Sequence, residues 1–210
     1  MFSRALILLA LASASLALPA TVKHSTATWC SGLGGGAFDT AQNFTLTAYD
    51  LASTPANSTG VPLVVGQNSS ATDAEYKVLS TYESYPYNDF PNFSLISGAL
   101  IPNPSKANAS VSAADVAVAA GAEPSFMVSS SSGLPDPAQI YCAVADTDPD
   151  VGHAFPTLAV NGDTDNFHLC KTSGDANAQV NVVYKASSNS SGVYDYDSCY
   201  RVRLQLIGLN

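Results

Sequence analysis

Residues 140–170 read IYCAVADTDPDVGHAFPTLAVNGDTDNFHLC and hold two of the four cysteines, two of the three histidines and the densest cluster of aspartates. Tyr141-Cys142-Ala143-Val144 is apolar and β-prone, residues 146–152 make a turn, and residues 155–160 form a second apolar run. Asn161-Gly162-Asp163 is a hairpin signal, because Asn and Gly tolerate the positive φ that a type I′ turn requires. Phe167-His168-Leu169 then alternates apolar and polar, as a half-buried strand does. Short strands cut by polar turns are therefore the local grammar, and the rest of the chain reads as two looser copies.

Working outward, residues 26–30 suggest a first short strand, followed by the glycine run 32–36. A glycine run cradles phosphate only between a strand and a helix of a nucleotide fold, so a loop is the expectation here. Residues 44–49, 61–65 and 76–79 read as strands, as do 93–96, 99–101 and 126–128. Ser97-Gly98 forms a turn between two of them. Ser112-Ala113-Ala114-Asp115 has the form of a capping box before Val116–Ala120, which allows one short helix or another strand. Residues 180–184 and 200–206 complete the set.

Aromatic residues open each copy: Phe44, Phe93 and Tyr141 are 49 and 48 residues apart, and Tyr76, Phe126 and Phe167 follow 32, 33 and 26 residues later. Near-equal periods are the trace of repeated supersecondary units. The expected fold class is all-β: a β-trefoil-like barrel of three ~48-residue units, or an antiparallel β-sandwich whose strands happen to begin with aromatics.

Residues 1–20 read as a secretory signal peptide, with Arg4 in the n-region, an apolar run at 5–11 and Ser15-Leu16-Ala17 as a small-x-small cleavage site. The run falls short of the ~20 residues that span a bilayer, and the C-terminus lacks a GPI tail. Residues 21–210 are expected to form one secreted domain, extracellular or cell-wall associated, free of the membrane once the signal is cut. A net charge of −9 with 8 Lys and Arg argues against nucleic acid, which needs a basic surface to displace counterions. Four cysteines in an exported chain imply two disulfides. Cys170 ends one strand and Cys199 begins another, which favours Cys170–Cys199 and leaves Cys30–Cys142. Zinc is disfavoured, since no C-x-x-C or H-x-x-x-H spacing occurs. Asn43, Asn57, Asn68, Asn92, Asn108 and Asn189 are N-glycosylation acceptors by sequence.

Several segments also carry a resemblance. These are residues 43–46, Gly60–Asn68 (GVPLVVGQN), Tyr85–Phe90 (YPYNDF), residues 158–167 and Ser198-Cys199-Tyr200. Together they are similar to small secreted proteins of mushroom-forming fungi. The resemblance implies an extracellular fungal setting and no catalytic residues.

The sharpest candidate site is residues 82–90, YESYPYNDF. Sugar recognition needs flat apolar faces beside groups that bond hydroxyls. Tyr82, Tyr85, Tyr87 and Phe90 supply rings, and Glu83, Asn88 and Asp89 supply polar partners. The competing expectation is that some of these rings simply pin a long loop. Tyr194-Asp195-Tyr196-Asp197 is a weaker patch of the same kind.

Asp146, Asp148, Asp150, Asp163 and Asp165 have oxygens for calcium, but Gly152 and Thr157 stand where an EF-hand loop needs other residues. His153 and His168 have the chemistry for a metal pair or a general base, but His168 alternates with Phe167 and Leu169 and is expected to face solvent. No Gly-x-Ser-x-Gly elbow occurs, and none of the three glutamates stands out as a glycosidase acid. The expectation is a non-catalytic, monomeric glycoprotein with no metal or cofactor, binding glycan or cell-wall polysaccharide. A secreted glycosidase-like hydrolase and an effector that binds a protein partner are the alternatives.

Overall fold

The alternation in Phe44-Thr45-Leu46-Thr47-Ala48 marks the point from which the core is built. Phe44, Leu46 and Ala48 are buried in the main apolar cluster, while the residues between them face the other side of the strand. A computed structural model describes residues 25, 27–53, 57–68, 76–130, 133–146, 154–190 and 192–209. Among these residues the strands are β1 (Ala37–Phe38), β2 (Ala41–Asp50), β3 (Val61–Gln67), β4 (Tyr76–Thr81), β5 (Asn92–Ile96), β6 (Ala99–Asn103), β7 (Ser112–Asp115), β8 (Ser125–Ser129), β9 (Tyr141–Val144), β10 (Thr157–Val160), β11 (Phe167–Lys171), β12 (Val180–Tyr184) and β13 (Asp195–Ile207).

Six of them close into an antiparallel barrel in the order β2-β3-β4-β12-β11-β13, with β13 returning to pair along β2. One face of each strand fills the interior: Leu63 and Val65 on β3, Leu79 on β4, Val182 on β12, Leu169 on β11, and Val202, Leu204 and Leu206 on β13. A slip of one residue in any of these ladders would turn that row outward, so the pattern fixes the register.

The remaining strands flank the barrel. The β5–β6 hairpin pairs onto the first half of β2, β7–β8 joins β4 through β8, and β1-β9-β10 joins β13. Strand β2 serves two partners because its register shifts between Ala41 and Phe44, where Asn43 takes φ 57°. A bulge at that point bends the strand away from the barrel.

The fold is thus all-β, as the sequence implies, but three equal units are not what closes the barrel. It takes three strands from each end of the chain, and residues 92–160 lie outside it. The long strands explain this: β2 and β13, of 10 and 13 residues, each have room for two or more neighbours. Five of the six aromatic residues that suggested a threefold repeat share the core, while Tyr76 is half-buried outside it. Phe44 lies opposite Phe93 with ring centroids 6.4 Å apart, Phe93 meets Phe126 at 6.3 Å, and Tyr141 is fully buried.

Three local expectations change. Thr28–Cys30 is a single 3-10 turn and not a strand, with Thr26 outside the described residues. Ser112–Asp115 caps no helix; it is β7, because Val116 N–H continues the pairing to Ser125 O (3.1 Å). Asn161 and Gly162 do take the positive φ of a type I′ turn, at 52° and 77°. That hairpin stops after the Val160–Asp163 bridge, since β10 pairs with β9 and β13 instead.

The disulfides are Cys30–Cys142 and Cys170–Cys199, as the strand ends suggested. Two such bonds suit an oxidising, extracellular compartment. Among the described residues no helix is long and apolar enough to cross a membrane.

Candidate functional site

Strand β4 delivers the chain at Thr81 into the loop 82–91, which is fastened at both ends. At its start, Tyr82 N–H donates to Pro62 O (2.9 Å) and Tyr85 N–H to Thr81 O (3.1 Å). Ser84 Oγ accepts from Val180 N–H (2.9 Å) and shares a hydrogen bond with Thr81 Oγ1 (2.8 Å). At its end, Phe90 is 4% exposed within the main core. Asp89 O accepts from Ser105 N–H (2.7 Å), and the Asp89 carboxylate accepts from Asn108 Nδ2 (3.1 Å).

Between these anchors the loop turns sharply, with Tyr87 N–H donating to Tyr85 O (2.8 Å). That turn brings the Tyr85 and Tyr87 rings to 5.0 Å between centroids, inclined at 58°. Tyr87 is 62% exposed and Tyr82 47%. Tyr85 is half-buried, and its hydroxyl accepts from Gln67 Nε2 at 3.4 Å. Asn88 is exposed.

The residues singled out in the sequence therefore divide. Tyr82, Tyr85, Tyr87 and Asn88 reach the surface together. Asp89 is exposed but uses one carboxylate oxygen to hold the 105–108 turn. Phe90 has no face left for a ligand; it is the loop's apolar anchor.

The loop sits at the barrel end where β2, β4 and β11 finish and β3, β12 and β13 begin. A cavity of about 370 Å³ opens there between Thr81, Glu83 and Ser84 on one side and Lys171, Asn177 and Val180 on the other. Exposed Leu51 and Tyr196 belong to the same end. Tyr200, on β13, lies half-buried against the main core. Burial pushes its phenol pKa up, and the Asp50 and Glu83 carboxylates push it further. Asp50 is held below the ordinary carboxylate range by the Ser53 hydroxyl and by the backbone N–H groups of Ala52 and Ser53. Sequence reasoning missed Gln67, Lys171 and Tyr200, since only the strand register brings them to the loop. Tyr194, in the weaker patch, is 3% exposed, with its hydroxyl donating to Ser187 O (3.1 Å) and accepting from Ser187 N–H (2.9 Å).

Among the described residues no three His, Cys, Asp or Glu come together in a group that could hold a metal ion. Asp163 accepts from Asn166 Nδ2 (2.7 Å) and Tyr184 Oη (3.1 Å) and pairs with Lys185 Nζ (3.3 Å). Burial raises its pKa, but these donors together with Asp165 N–H outweigh that and hold it low. Its role is to fasten the 161–166 turn to β12. Asp148, Asp150 and His153 lie outside the described residues. His168 is half-buried on β11 opposite Arg201, and burial lowers its pKa.

Among the sequons, Asn43, Asn57 and Asn189 are exposed, while Asn68, Asn92 and Asn108 are half-buried. Asn92 Oδ1 accepts from Asn103 Nδ2 (2.6 Å), and Asn108 donates to Asp89.

No protein-family model, curated protein or solved structure matches this chain. The reading of the site rests on its own geometry.

Proposed function

We propose that the chain is a secreted, N-glycosylated, disulfide-stapled protein that binds carbohydrate without chemical turnover, its partner being an extracellular or cell-wall polysaccharide. The observation that carries this reading is the Tyr85–Tyr87 pair, held on a loop anchored at both ends and exposed beside Asn88 and Gln67. A pyranose offers an apolar C–H face and a rim of hydroxyls. Tyrosine meets both, with a flat apolar ring and a polar tip. The anchored loop loses little freedom on binding, which favours affinity. Glu83, Lys171 and Asn177 around the neighbouring cavity add acceptors and donors for further hydroxyls.

The test is retention on immobilised neutral polysaccharides together with a glycan array. Wild type is expected to bind at least one polymer, and Tyr87→Ala to bind it roughly tenfold more weakly, the ~1.4 kcal/mol scale of a truncated interface aromatic. Equal binding by Tyr87→Ala and by Tyr85→Ala with Tyr87→Ala would remove the loop from the site. Absence of binding to every glycan would overturn the reading itself.

A further inference from the structure

Apart from the aromatic loop, the flanking strands bury a carboxyl group that the apolar core does not need. Asp115, on β7, is fully buried, and both of its carboxylate oxygens lack a hydrogen-bond partner. Tyr141, on β9, is also fully buried with an unpartnered hydroxyl, and its pKa is raised first by burial and then by the Asp115 charge. Among the described residues no cation shifts the Asp115 carboxyl. Strand β6 turns the Leu100 backbone toward the carboxyl, which with the Asp115 backbone lowers its pKa by less than burial raises it, β8 places Phe126 opposite Asp115, and β9 supplies the Tyr141 phenol. None of β5 to β9 contains a lysine, arginine or histidine. Unpartnered buried polar groups are rare in native folds, and each calls for a reason.

Asp115 and Tyr141 lie at the two attachment points of one strap of chain. Ala138 N–H donates to Asp115 O (3.2 Å), while Ile140 and Tyr141 N–H both donate to Gly98 O (3.0 and 2.8 Å). Gln139 Nε2 adds a bond to Ser97 O (3.0 Å). Residues 136–139 of the strap and the β5–β6 hairpin enclose a groove of about 460 Å³ lined by Ile96, Ala99, Ile101 and Pro137.

We propose that residues 136–141 are a proton-operated strap, latched over the β5–β6 hairpin while Asp115 is protonated and released as Asp115 gives its proton to solvent. The charged carboxylate has no hydrogen bond that offsets its burial, so ionisation favours any opening that brings water to it. Burial raises the Asp115 pKa to about 7, while a hydrated aspartate titrates near 3.9. Opening therefore releases a proton between about pH 4 and pH 7. Over that range its equilibrium constant rises about tenfold per pH unit, and it levels off above. The latched form is the acid form.

Amide hydrogen exchange tests this on the full chain, with rates corrected for the intrinsic pH dependence. The strap amides of Ala138, Ile140 and Tyr141 should be less protected than barrel amides such as Val182 and Leu204. Their opening should resist low denaturant and rise close to tenfold per pH unit from about 4 to 7. In Asp115→Asn the strap profile should be flat. Strap opening independent of pH in wild type, or protection equal to that of the barrel at every pH, would overturn the proposal. If Asp115→Asn does not fold, the wild-type profile decides together with the Asp115 carboxyl titration followed by carbon NMR. That titration must share the strap's upper midpoint.

Discussion

The barrel and the strands beside it solve the same burial problem in opposite ways. The barrel's interior is lined mainly by apolar residues, and its polar groups are partnered: the Tyr184 hydroxyl by Asp163, and Thr81, opposite Leu63, by Ser84. Its unpartnered buried atoms, Thr47 Oγ1 and His168 Nδ1, belong to residues facing away from that interior. The flanking region instead buries Asp115, Tyr141 and the Trp29 indole nitrogen without partners. A closed barrel satisfies its backbone all round and has no edge to defend. Short hairpins added to it must be held by other means. Here these include the Cys30–Cys142 bond, the Phe44–Phe93–Phe126 contacts and Trp29 laid over Gly98, where a β-carbon would strike the indole. The barrel should be the more stable part, and the flank the adjustable one.

Removing the disulfides bears hardest on this comparison. Cys30–Cys142 closes 112 residues and holds the flank, whereas Cys170–Cys199 closes 29 within the barrel. Chain entropy alone makes the first worth about 5 kcal/mol and the second about 3.5. Chemical denaturation of Cys30→Ala with Cys142→Ala should therefore show the larger loss. If the Cys170–Cys199 pair proved the costlier to remove, the flank would be held by its packing and not by its staple.

The pH response is next in size. The native pKa of Asp115, about 7, lies above its unfolded value, so the folded state binds the extra proton between about pH 4 and 7. Its contribution to stability is fully present below pH 4 and declines by about 4 kcal/mol by pH 7. Asp50 and Asp163, both with lowered pKa, act with the opposite sign. The informative quantity is thus the difference in slope between wild type and Asp115→Asn in denaturant melts from pH 4 to 8. Parallel slopes would mean that Asp115 is solvated in the native state.

A smaller effect probes the barrel's outer face. Ser80 and Asn181 are fully buried there, joined at 2.8 Å, with Gln179 donating to both and Asn181 Nδ2 reaching Glu123 (2.7 Å). Gly66 leaves the room for this network, since a β-carbon on it would run into Ser80 Oγ and Cβ. Gly66→Ala should cost about 1–3 kcal/mol by overpacking, measured as a lower denaturation midpoint without a change of m-value. A neutral result would show that this layer yields easily.

How much of this was legible in the sequence follows from range. Period-2 alternation located the barrel strands, and cysteines at strand ends gave the disulfide pairs. Closure was not legible, because the β2–β13 ladder joins opposite ends of the chain and leaves no local mark. Asp115 was misplaced for a related reason. Ser-x-x-Asp is a helix-start signal in isolation, and only the pairing of Ser112–Asp115 with β8 turns the carboxyl into the core. In the aromatic loop, Phe90 and Tyr87 looked alike as rings; the core beneath one and the solvent over the other separate them.

That separation sets the smallest expected effect on stability. Tyr87 is mostly in water and its N–H bond to Tyr85 O is a backbone contact, so Tyr87→Ala should move the denaturation free energy by no more than about 0.5 kcal/mol. Phe90→Ala, three residues on, should cost about 3–5 kcal/mol, because it empties a core position. Pairing these numbers with glycan binding divides the loop's two duties. If Tyr87→Ala keeps its stability and loses affinity, the ring serves a ligand. If it destabilises the chain as Phe90→Ala does, Tyr87 is a second anchor, and the binding face must be sought around Glu83, Lys171 and Tyr196 instead.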